Sequence, residues 1–194
     1  MILTELTSVL VAALPIAEFK AHLRLGTGFT DSGLQDELLE AYLRASISTI
    51  EARSGRVLLQ KQYSWQLTRW RDPVRQVLPV RPVSGIVQIK LIDAAGAEVL
   101  ADATDFKFVP DDICPAVEAA RAALPTLPVG GLVDVVFDAG FGPAWSDVPS
   151  DLGQAVLIVA ANAYENRTGT GEAVPMAALN LLEPYRALRL MRGV

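Results

Sequence analysis

The hydrophobic period of this chain changes twice, and that limits what it can fold into. Over residues 32–53, Leu34, Leu38 and Tyr42 form one row and Leu39, Leu43, Ile47 and Ile50 an adjacent one, with Glu37, Glu40, Arg44, Ser48 and Glu51 opposite. This spacing predicts a long amphipathic helix with a wide buried stripe. Asp31 or Ser32 can cap it, Glu40 and Arg44 are placed for an i,i+4 pair, and Gly55 is a natural stop. The period then drops to two. Tyr63, Trp65 and Leu67 alternate with Gln62, Ser64, Gln66 and Thr68, as do Val87, Ile89 and Leu91 with Gln88 and Lys90. Phe106 and Phe108 suggest a further strand, and Val133, Val135 and Phe137 a last one. Helical spacing returns at Ser150, with Leu152, Val156, Val159, Ala160 and Ala163 on the buried side.

Prolines 73, 79, 82, 110, 115, 125 and 128 punctuate the period-two region. Proline is confined to strand edges and loops, so these strands must be short. Asp93-Ala94-Ala95-Gly96 reads as a hairpin turn into Glu98-Val99-Leu100, and residues 115–124 as one or two helical turns. Pro15 suits the first turn of a short helix carrying Ile16, Phe19 and Leu23, and residues 176–182 a last helix broken at Pro184. Neither helical end can bury its stripe alone. The expectation is an α+β fold: N- and C-terminal helices (1–57 and 148–194) form a bundle, and 58–147 is an inserted subdomain with a small antiparallel β-sheet.

Composition excludes several functions. The chain has 17 Lys+Arg against 22 Asp+Glu, a net charge of -5, and no basic run. Gripping DNA backbone needs clustered cations, so dedicated nucleic-acid binding is not expected. Cys114 is the sole cysteine, which rules out an intramolecular disulfide, and His22 is the sole histidine. Near the end of the first helix, His22 is placed to interact with the helix dipole. Val9 to Leu14 and Leu152 to Ala163 are too short to span a bilayer, and the opening lacks a basic segment.

The candidate chemical motifs are weak. Gly169-Thr170-Gly171 is followed by Glu172, where a phosphate loop needs Lys and Ser or Thr, so it reads as a linker. Asp111-Asp112 and the dispersed Asp134, Asp138, Asp147 and Asp151 lack EF-hand spacing; Asp151 instead complements a helix N-terminus. Trp65 lies on an alternating apolar face and reads as core, whereas Trp70 and Arg71 are candidates for a protein contact. No catalytic, cofactor or metal residues are assigned, and the chain reads as a non-enzyme. The tail combines Tyr185, Arg186, Leu188, Arg189, Leu190, Met191 and Arg192. Arginines beside apolar anchors are what partner interfaces favour.

An ordered series of segments resembles a known family. It comprises Pro15, Glu18 and Lys20-Ala21-His22-Leu23-Arg24; Ile50-Glu51-Ala52-Arg53-Ser54-Gly55-Arg56; Gln62 and Trp65; and Leu78-Pro79-Val80-Arg81-Pro82-Val83. It continues with Ala139-Gly140-Phe141-Gly142, Val148-Pro149, Tyr164-Glu165-Asn166-Arg167 and Leu182-Glu183-Pro184-Tyr185-Arg186. This series resembles the head–tail connector, or adaptor, proteins of long-tailed phages and phage-derived gene transfer agents. Phe141 departs from the family's frequent tyrosine, and residues 111–127 differ from its pattern. The resemblance implies a virion structural protein, assembled in the host cytoplasm, that forms a homo-oligomeric, dodecameric ring at the head–tail junction of the particle. One face would meet the portal protein, bound through the tail from Tyr185 to Arg192, and the other the stopper or tail-completion protein. DNA would cross the lumen without sequence-specific binding, and no membrane or cofactor is implied. Two alternatives remain open on the residues alone: an enzyme whose carboxylates meet only in the fold, and a monomeric protein-binding adaptor.

Overall fold

The computed structural model describes residues 1–25, 34–166 and 174–185. They contain four α-helices and two antiparallel sheets, an α+β fold. The chain divides into two units. One holds Met1–Val9 and Leu59–Phe141; the other holds the described parts of 10–58 and 142–194. Residues 1–9 thus go with the sheets, where the expected division placed 1–57 wholly with the helices.

The helical unit is built from α1 (Ile16–His22), α2 (Leu34–Ser54), α3 (Ser150–Glu165) and α4 (Met176–Leu182). α2 packs on α3, α3 packs on α4, and α1 touches both α2 and α3. The α2 stripe is the expected one: Leu39, Leu43, Ile47 and Ile50 are buried, as are Leu152, Val156, Val159 and Ala160 of α3. Tyr42 meets Tyr164 edge-on at 5.9 Å, a favoured aromatic geometry. Leu38, read as part of the buried row, is instead 39% exposed. The Glu40–Arg44 pair forms at 2.7 Å, and Gly55 ends α2 at φ 65. His22 lies in the last turn of α1, exposed.

The other unit has a five-stranded sheet in the order β1 (Ile2–Glu5), β2 (Lys61–Leu67), β8 (Leu132–Ala139), β4 (Val83–Ile92), β5 (Glu98–Leu100). A three-stranded sheet runs β3 (Arg75–Val77), β7 (Ala116–Ala119), β6 (Phe106–Val109). The expectation was one sheet. The second arises because residues 116–119, read as helical, are its central strand, with Ala116 and Val117 fully buried. Alanine-rich sequence favours helix locally, but pairing on both sides overrides that preference.

β8 is the spine of the larger sheet. Val133, Val135 and Phe137 are fully buried, and Phe137 stacks on Tyr63 at 5.8 Å. Trp65 is core at 2% exposure. β4 departs from the predicted alternation. Its register slips between Val83 and Gly85 and again between Ile86 and Gln88, so Val87 is 49% exposed while Ile89 is fully buried. A β-bulge shifts the side-chain phase in this way.

Candidate assembly surfaces

The segment Ala139-Gly140-Phe141-Gly142 ends β8 at a point that only glycine can occupy. Gly140 has φ +130, and a Cβ there would lie 2.6 Å from backbone atoms of Leu59 and Gln60. The Gly140 N–H donates to the Pro82 carbonyl at 2.9 Å, tying this turn to the Leu78–Val83 segment. Two of the segments that carry the resemblance therefore meet in one unit, and the glycine at position 140 follows from local geometry.

Tyr185 is the one residue of the proposed tail contact that the structure describes; residues 186–192 lie outside the described residues. It closes a 3-10 turn, Glu183–Tyr185, which follows α4 where Pro184 was expected to interrupt it. Its hydroxyl donates to Asp151 Oδ1 at 2.8 Å, and the Arg56 guanidinium lies 5.9 Å from its ring centroid. Partial burial, then the hydrogen bond to Asp151 and its charge, push the phenol up to about 12; Arg56 pulls the other way. Tyr185 thus holds the root of the tail against the N-terminal turn of α3. Sequence spacing could not show this link, because its partners lie on different elements.

The other singled-out residues have internal partners. Trp70 Nε1 donates to the Pro125 carbonyl at 2.8 Å, and Arg71 reaches Met1 Sδ at 3.6 Å. The Asp111 carboxylate accepts from the N–H groups of Ile113 and Cys114 at 2.7 and 2.6 Å, which holds it below the usual carboxylate range. Cys114 is exposed. Among the described residues, no cluster of three His, Cys, Asp or Glu could hold a metal, and no helix is long and apolar enough to cross a membrane. An open groove of about 430 Å³ in the helical unit is lined by residues such as Leu10, Ala13, Pro15 and Trp145, with Glu18 its one acid. It offers none of the convergent carboxylates that the enzymatic alternative requires.

Of the two outer strands of the large sheet, sequence reading gave β5 as the second arm of the hairpin at Asp93 but did not single out β1. β1 is exposed along its whole length, with Ile2 at 61% and Leu3 at 40%. β5 is likewise exposed, with Val99 at 62% and Leu100 at 63%. The available signal was the apolar opening Met1-Ile2-Leu3, which reads as a strand only once its partner β2 is known.

Solved structures show what the chain is similar to. A chain from the neck of an empty gene transfer agent particle, computed with C6 symmetry, is 45% identical, with a TM-score of 0.91, over 100% of this chain and 99% of that one. A chain from the virion of the native particle is 44% identical, with a TM-score of 0.89 over the same shares. A chain from the neck of the native particle, computed with C12 symmetry, is 40% identical at a TM-score of 0.86, again over 100% and 99%. No family model and no curated protein matches. The matched chains are structural parts of a particle, not enzymes, and this chain is a structural protein of the same class. It belongs to the head–tail connector family of long-tailed phages and phage-derived gene transfer agents.

Proposed function

We propose that this chain is one subunit of a homo-oligomeric ring in the neck of a gene transfer agent or phage particle. The carrying observation is the 45% identity, over 100% of the chain, to a chain from such a neck. In this reading the ring joins the portal protein on one face to the stopper or tail-completion protein on the other. The bundle of N- and C-terminal helices, with the β-rich subdomain inserted, is the repeating unit of the ring, and twelve copies fit the C12 symmetry of one related neck. Residues 186–192 extend from the Tyr185 anchor and supply arginines and apolar side chains to the portal.

DNA passes through the lumen without being gripped. The net charge of -5 supports this, because a wall rich in cations would retain the phosphate backbone. The test is electron microscopy of particles carrying this chain with an affinity label. Rings below the portal vertex, bearing the label, are expected. Label at the capsid face or tail tip, or a chain that stays monomeric in complete particles, would overturn the reading.

A further inference from the structure

We propose that neighbouring copies join through the large sheet, the β1 edge of one copy pairing in parallel with the β5 edge of the next. This inference rests on the ring reading above. It begins from an imbalance between edges. The small sheet ends in β3 and β6, whose Arg75 and Lys107 flank Glu118 at 3.5 and 3.2 Å. Charged edge strands of that kind resist pairing. The large sheet ends in β1 and β5, which expose Ile2, Leu3, Val99 and Leu100. Their acids are engaged inward: Glu5 pairs with Lys61 at 3.3 Å, and Glu98 with Lys90 at 2.9 Å. Each of these two edges thus sets one ion-paired acid beside two exposed apolar side chains.

Strand direction fits a cyclic ring. Every pairing in the order β1-β2-β8-β4-β5 is antiparallel, so the two outer strands of this five-stranded sheet run the same way. A ring is a heterologous assembly in which one surface meets a different surface of the next copy. One step of a C12 ring turns the neighbour by far less than a right angle, so strand sense is kept. β5 then meets the neighbour's β1 in parallel.

The backbone groups match as well. Leu6 N–H donates to the Gln62 carbonyl, so by alternation Leu3 and Glu5 turn their backbone groups outward from β2. Ala101 N–H donates to the Ile89 carbonyl, so Glu98 and Leu100 turn theirs outward from β4. One parallel register uses all four outward-facing residues, and it sets Leu3 opposite the neighbour's Val99. Both lie on the same sheet face, since Leu3 is in register with Trp65 and Val135, and Val99 with Leu91 and Val133. The joint would cover apolar side chains and satisfy backbone groups together, as in strand addition.

The test uses Leu3→Cys and Val99→Cys together on a Cys114→Ser background, in assembled particles under oxidising conditions. Opposed strand positions lie within disulfide reach. A ladder of cross-linked oligomers is expected from the double variant and only monomer from each single variant. Rings without a ladder would overturn the edge pairing and leave the ring reading intact. Dimers from either single variant would mean a two-fold contact and overturn it too. If the double variant fails to assemble, hydrogen exchange of the natural chain decides. Peptides covering 1–9 and 96–102 should gain at least tenfold protection in the ring over the free chain, and unchanged exchange there refutes the pairing. Particles with no ring of this chain would remove the ring reading and the pairing together.

Discussion

Replacing Gly140 with alanine should damage the sheet unit, because both the surrounding space and the backbone geometry there oppose a side chain. The added Cβ would sit 2.6 Å from Gln60 Cα, Gln60 N and Leu59 C, all backbone atoms that cannot rotate aside. Overpacking of this kind costs about 1–3 kcal/mol. The φ of +130 adds strain for any L side chain, about 1–2 kcal/mol. A combined loss of about 3 kcal/mol, set against the roughly 5–15 kcal/mol that holds a typical protein folded, is severe. It corresponds to a fall in Tm of about 6–12 °C for a chain of this size. The assay is denaturant unfolding followed by tryptophan fluorescence, read as a midpoint shift at constant slope. Gly85→Ala is the control. Nothing lies within 4 Å of its added Cβ, and its φ is not in the left-handed range, so a change within about 0.5 kcal/mol is expected. Should Gly140→Ala match that control, the close approach of Gln60 would not be what requires glycine at the end of β8.

Further outcomes follow from the helical unit and the surface charge. The Tyr185 phenol, held at about 12 against 10 for a free one, keeps its proton longer in the folded chain. Its contribution to stability is therefore full below pH 10 and lost between pH 10 and 12. Denaturation midpoints at pH 9 and pH 11.5 should fall further in the natural chain than in Tyr185→Phe, and equal falls would refute the anchor. Asp151→Asn removes one cause of the raised pKa, so the phenol should titrate earlier by absorbance near 295 nm; an unchanged titration would count against that pair. Deleting residues 186–194 should leave a folded chain of near-normal Tm that no longer co-purifies with the portal protein. Unfolding on deletion would place the tail in the bundle, and normal particle assembly would remove its docking role. Purified protein should not bind free duplex DNA tightly, and tight binding with a steep salt dependence would contradict the reading of a lumen that lets DNA pass.

Sequence by itself determined the elements whose faces are written locally. The α2 stripe of Leu39, Leu43, Ile47 and Ile50, the buried run of β8, the hairpin turn at Asp93, and the glycine stop at Gly55 all follow from spacing and residue type. The order of segments across the whole chain was enough to point to the family. Tertiary structure decided which elements meet. Residues 116–119 became a strand because β3 and β6 flank them, although their alanines suit a helix. Val87 left the buried face because β4 slips register against β8. Tyr185 found Asp151 and Arg56, and β1 found β2, across long stretches of chain. The physical reason is the range of the information. Periodicity states which side of an element is apolar, whereas the identity of its partner, the phase at a bulge and the exposure of an edge depend on backbone pairing between distant segments. The two apolar edges of the large sheet therefore became visible only when the sheet order was known.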